Sequence, residues 1–180
     1  MANIAVIGRS TPPFDASLLE KAAALGARCA NAGHAVLSGA CPGFAHAAVQ
    51  AAFASGGKTV GYSPAADSGH HQNGFASPLD AFTHIQYFGE KEWSDVKNFT
   101  WRSAHLIDDA DAVFCVDGSW GTLSEVALVF ETEKPLGVLE SPGASSFVKS
   151  LEETLARRRK QNVVYAKSPD ALADAVFAQL

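Results

Sequence analysis

Paired cysteine is the first thing this sequence lacks. Cys29, Cys41 and Cys115 are odd in number and far apart, and no C-x-x-C occurs. That excludes a disulfide framework and a zinc knuckle, and it fits a reducing, cytoplasmic location. The six histidines show no metal-ligand spacing with the cysteines, so no metal and no cofactor is expected. Long apolar runs are missing too. None approaches the ~18–20 residues of a membrane span, so no membrane partner is expected. No basic segment precedes the first apolar run, so no signal peptide is expected. Positive charge is scarce, with 14 Lys and Arg against 19 Asp and Glu, a net −5. The one basic run, Arg157-Arg158-Arg159-Lys160, falls on a predicted helix and reads as a solvated face, so nucleic acid is not an expected partner.

Three catalytic or phosphate signatures are also missing. There is no G-x-G-x-x-G, no G-x-x-x-x-G-K-[ST] and no G-x-S-x-G. A standard dinucleotide loop, a P-loop and a hydrolase elbow are thereby unsupported. Ser10, Ser38 and Ser119 have no evident triad partners.

What is present is a regular alternation. Asn3 to Ile7 reads as a short, apolar strand of the kind covered on both faces, and further strands read at 35–37, 58–62, 83–88, 112–116, 135–139 and 163–166. Helical patterns fall between them at about 15–32, 44–54, 94–109, 122–132 and 146–159. Asp15 or Ser17 caps the first, and Gly33 stops it. Ser168-Pro169-Asp170 opens a final helix with an N-cap and Pro at N1. The stretch 63–80 is rich in Pro, Gly, Ser, His and Asn and reads as a long loop, with His70-His71 in solvent. Strand–helix–strand repetition at this spacing predicts an α/β Rossmann-like fold of three layers. Its parallel sheet has about seven strands, in a single domain over 1–180.

In such a sheet three turns share the carboxyl edge, where open α/β folds bind ligands. They are Gly8-Arg9-Ser10, Ser38 through Gly39 to Gly43, and Asp117-Gly118-Ser119-Trp120-Gly121-Thr122. Glycine lets a backbone approach a ligand closely, and a helix N-terminus suits phosphate. Any one could be only a tight turn. Three on one edge point to a phosphorylated, nucleoside-type ligand held by Gly8, Ser10, Gly39, Gly43, Asp117, Gly118, Ser119, Gly121 and Thr122.

Two charged residues stand out. Arg102 lies i+3 from Phe99 and i−4 from Leu106, on the inner stripe of its helix. A buried guanidinium needs a partner, either an anionic ligand or a structural carboxylate. Thr122-Leu123-Ser124-Glu125 has the form of a capping box, which alone could explain Glu125. The helix dipole also favours a carboxylate there, which could serve as a base or stabilise positive charge. The helix from 122 is apolar nearly all round, through Leu123, Val126, Ala127, Leu128, Val129 and Phe130, so something must cover it.

Val6-Ile7-Gly8-Arg9-Ser10, the turn 38–45 and Gly118-x-x-Gly121-Thr122-x-x-Glu125 together resemble the LOG family, long mislabelled lysine decarboxylases. The resemblance runs nearly the full chain and is nearest to less characterised bacterial relatives. Arg102, nine residues before Asp111, has the family spacing. The resemblance implies a homodimer that hydrolyses the N-glycosidic bond of a nucleoside 5′-monophosphate, releasing base and ribose 5-phosphate. It gives the catalytic roles to Arg102 and Glu125. The sequence departs from the family pattern at Asp117 (proline), Ser119 (glycine) and Ser103 (lysine), and Ala40-Cys41 interrupts the usual glycine run. Other relatives are carriers or sensors of nucleotide-like ligands, and that alternative stays open.

Overall fold

Seven short strands with helices between them have one economical arrangement, a twisted parallel sheet sandwiched by helices. A computed structural model, which describes residues 1–141, 143–155 and 162–180, has this form. The strands are β1 (Asn3–Ile7), β2 (Ala35–Ser38), β3 (Thr59–Ser63), β4 (His84–Tyr87), β5 (Ala112–Cys115), β6 (Leu136–Leu139) and β7 (Val163–Ala166). The helices are α1 (Ala16–Asn31), α2 (Phe44–Ala54), α3 (Ser68–Gly74), α4 (Asp95–Asp109), α5 (Trp120–Thr132), α6 (Ala144–Leu155) and α7 (Pro169–Phe177). The sheet order is β4-β3-β2-β1-β5-β6-β7, and every pairing is parallel.

Burial follows the two-residue period of the strands. In β1, Ile4 and Val6 join Leu25, Phe44 and Leu172 on the face covered by α1, α2 and α7. Ala5 and Ile7 join Leu106, Val126 and Val148 under α4, α5 and α6. The chain leaves β1 toward β2 on one side and returns to β5 on the other. The order therefore reverses between β1 and β5, the crevice where such sheets take ligands.

Three local expectations need correction. The stretch 63–80 is not all loop. Asp67 caps α3 by accepting from His70 N at 2.8 Å. His71 is not solvated but fully buried, with Nδ1 2.8 Å from Ser63 Oγ and Nε2 2.9 Å from the Pro78 carbonyl. Two polar partners placed by the fold compensate its burial. Finally, α5 begins at Trp120 with Ser119 at the N-cap, two residues before the expected start. Arg157 to Lys160 lie outside the described residues. No described helix is long and apolar enough to cross a membrane.

Candidate functional site

The earlier start of α5 changes what Glu125 does. With Ser119 at the N-cap, Thr122 is at N3 and Glu125 is a full turn inside the helix, so no capping box forms. Glu125 Oε1 instead accepts from Arg102 Nη1 at 3.0 Å and from Ser103 Oγ at 3.1 Å. Arg102 is 6% exposed and Glu125 7%. A Cβ at Gly39 would collide with the guanidinium, so this glycine is what lets Arg102 lie across the β2 turn. The Phe99 ring flanks the guanidinium carbon at 5.6 Å. Desolvating two charges is costly, and well-packed apolar residues often do as well for stability. The pair is therefore poorly explained as a fold stabiliser.

A cavity of about 230 Å³ opens above this pair, at the β1–β5 crevice. Gly8, Ser10, Gly39, Ser119, Gly121, Thr122, Arg102 and Glu125 all line it. Cys41, Pro42 and Phe99 line it as well. Phe99 could have been found from its place on the Arg102 stripe; Cys41 and Pro42 lay inside the expected turn. Burial pushes the Cys41 thiol above its ordinary value, against the opposing pull of Arg102. Its Sγ donates to Gly39 O at 3.3 Å.

Three expected ligand contacts do not line the cavity. Gly43 is the N-cap of α2 at φ +94°, and a Cβ there would run into the Arg9 carbonyl. It serves the packing of the first turn on α2. Gly118 lies against the Phe147 ring. Asp117 is buried and paired with Arg9 at 2.9 Å, which ties the β1 and β5 turns together. The paired carboxylate is not presented to a ribose hydroxyl, and its charge is offset beside the helix start.

The starts of six of the seven described helices divide into two groups. Side chains of Asp15, Asp67, Ser94 and Ser168 cap α1, α3, α4 and α7. The caps of α2 and α5, Gly43 and Ser119, donate or accept no such bond. No side chain caps their first turns, and Ala45, Gly121 and Thr122 of those turns line the cavity. Nearby, the Thr122 hydroxyl and the Arg102 Nε are buried with no partner among the described residues. Buried polar groups are normally satisfied, so these unpaired donors mark a place where an anion would fit. Among the described residues no cluster of His, Cys, Asp or Glu could hold a metal ion.

Comparison with known proteins agrees with the fold. The structure of TM1055 superposes with a TM-score of 0.80 at 22% identity, covering all of both chains. The molybdenum cofactor binding protein from Rippkaea orientalis gives 0.79 at 24% identity, over 99% of this chain and 96% of that one. DNA processing protein A from Helicobacter pylori, described for its single-stranded DNA binding, gives 0.71 at 20% identity, over 99% and 81%. No curated protein matches the sequence. A family model described as SLOG cluster4 matches residues 1–173, and the chain belongs to the SLOG cluster4 family.

Proposed function

We propose that this chain binds a phosphorylated nucleoside in the β1–β5 cavity and hydrolyses its N-glycosidic bond. The observation that carries the reading is the unpartnered Thr122 hydroxyl. It is 2% exposed, between the uncapped start of α5 and the buried Arg102–Glu125 pair. The phosphate sits on the free N–H groups of α5, with Thr122 as a further donor. Gly8 and Gly39 let the backbone close on the ligand, and Ser10, Ser119 and Gly121 complete the wall. Arg102 orients the ribose. Glu125, one turn below the phosphate, faces the anomeric carbon and stabilises its oxocarbenium-like character. Water oxygen adds to C1′ as the C1′–N bond breaks. The bonding pair leaves with the base, and the proton lost by water ends on that base.

The test is release of free base from a panel of nucleoside 5′-monophosphates. Glu125→Gln keeps the size and removes the charge. It should raise the barrier by about 2–4 kcal/mol, or slow turnover about 30- to 900-fold. Equal turnover by wild type and variant would sink the catalytic role.

A second reading is a carrier that holds a phosphorylated ligand without cleaving it. It is favoured by Glu125 Oε1 being bonded already by both Arg102 and Ser103. The likeness to a molybdenum cofactor binding protein supports it further. Tight binding with no base released from any nucleotide would decide for the carrier. The net charge of −5 speaks against nucleic acid. A protein of this fold is described as binding single-stranded DNA, so an oligonucleotide belongs in the same panel, and binding there would reverse that expectation. The expected homodimer would use the outer faces of α4 and α5. There Trp101, His105 and Leu128 line an apolar groove of about 340 Å³. Light scattering that finds only monomer at micromolar concentration would reject it.

A further inference from the structure

The first turn of α5 has two sides. Gly121, Thr122 and Glu125 face the cavity already described. Trp120 and Leu123 face the other way, into a separate cleft of about 230 Å³ closed by Gly118, Ser119 and Phe147. Ser119 lines both spaces, so the uncapped helix start is the crest between them. Phe147 is held as a wall because its ring lies directly against the Gly118 backbone, where any Cβ would collide with it. Trp120 is 86% exposed. Trp93 and Trp101, by contrast, pack edge-on against each other at 6.5 Å. An indole left bare at the rim of a phosphate-type site, in a cleft also lined by Phe147, offers a face on which a flat group can stack. None of the described residues that line the cleft is charged, so what it takes is flat and apolar-faced.

We propose that this cleft is a second ring subsite, and that the ligand is a dinucleotide-class molecule whose phosphate on the α5 crest carries an aromatic ring on each side. The inference rests on the proposed phosphate site. Phosphate, ribose and base already occupy the Thr122–Glu125 side, so a ring beside Trp120 must be joined through the phosphate. Ser119 lines both spaces, so a ligand whose phosphate sits on the crest can reach into either one. The ring stacks between Trp120 and Phe147, and recognition there is by aromatic faces, not by hydrogen bonds.

The test compares AMP with P1,P2-di(adenosine 5′) diphosphate, read on mixing, before turnover. In a Trp93→Phe, Trp101→Phe protein, Trp120 is the sole indole. The dinucleotide should quench it strongly, while AMP binds by calorimetry with little quenching. The dinucleotide should bind about ten- to a hundredfold tighter than AMP, the scale of one base–aromatic stack. Trp120→Ala should erase that difference and leave AMP binding within about twofold; Trp120→Phe should keep most of it. AMP and dinucleotide binding equally, with no effect of Trp120→Ala, overturns the second subsite and leaves the phosphate site standing. Failure of both ligands to bind overturns the phosphate reading and this inference with it. A smaller assembly in Trp120→Ala, with unchanged dinucleotide affinity, overturns the proposal in favour of a second copy of the chain as the cleft's occupant.

Discussion

The amino edge of the parallel sheet and the cavity region of its carboxyl edge treat their polar groups differently. At the amino edge the polar groups bond to one another. Asn3 N donates to Asp111 Oδ2 at 2.7 Å, and Asn3 Nδ2 donates to the Asp109 carbonyl at 3.1 Å. Ala2 N donates to His34 Nδ1 at 3.1 Å, and Lys134 Nζ donates to the Ile107 carbonyl at 2.8 Å. At the carboxyl edge, Arg9 Nε, Arg102 Nε and Thr122 Oγ1 are buried without partners among the described residues, and α2 and α5 start without a side-chain cap. A satisfied edge contributes stability. An edge with unpaired donors gives up stability and is organised to bind.

The comparison breaks most visibly at the buried pair. Arg102→Ala leaves Glu125 buried without its cation, and unfolding free energy in urea should fall by about 3–5 kcal/mol. Replacing both partners by leucine should recover most of that loss and abolish ligand binding. If the double replacement is as unstable as Arg102→Ala, the pair is a stabiliser after all.

Thr122→Val sharpens the contrast from the other side. It swaps an unpaired hydroxyl for a methyl group of the same shape, so stability should hold or rise by up to about 1 kcal/mol. Affinity for a nucleoside monophosphate should drop by about 1.5–3 kcal/mol, the scale of a hydrogen bond to a charged group. A loss of stability without loss of affinity would make the residue structural. At the amino edge, Asn3→Ala should do the reverse, lowering unfolding free energy by about 0.5–1.5 kcal/mol with ligand affinity unchanged.

The smallest effect is expected from pH. Burial holds His46 below the ordinary histidine range, outweighing the pull of Asp80, 3.4 Å from its Nε2. Burial does the same to His34, helped by the chain N-terminus and opposed by Asp111. The unfolded chain then binds more protons than the folded one just below the ordinary pKa of about 6.5. Stability is therefore full above that pH and declines as pH falls through it. His46→Gln should flatten the decline in urea midpoints taken across pH 7 to 5; a midpoint that rises on acidification would contradict it.

Much of the architecture was legible in the residues. Apolar runs such as Asn3–Ile7 and Ala112–Cys115 fit only interior strands, while the edge strands β4 and β7 are partly exposed, and the Phe99–Arg102–Leu106 stripe marks Arg102 as inward. Ser168 and Pro169 marked a helix start by local chemistry alone, and Ser168 accepts from Ala171 N as that chemistry requires. The start of α5 was misplaced because Ser119-Trp120-Gly121 has no strong helix signal. The helix begins there although Trp120 and Gly121 are exposed, with the first buried residue at Thr122. His71 was misread for a related reason, since a histidine in a polar stretch has no local sign of the buried Ser63 and Pro78 partners waiting for it.

The sequence by itself determined the order of elements, the parallel sheet, and the three turns at one edge, because each depends on periodicity, glycine placement and the short reach of neighbouring residues. Only the tertiary structure decided who pairs with whom. Glu125 with Arg102 and Ser103, Asp117 with Arg9, and Trp120 opposite Phe147 are meetings of residues 22 to 108 positions apart or set on different helices. Such distances along the chain are closed by how α4, α5 and α6 lie across the sheet, and no local pattern encodes that placement.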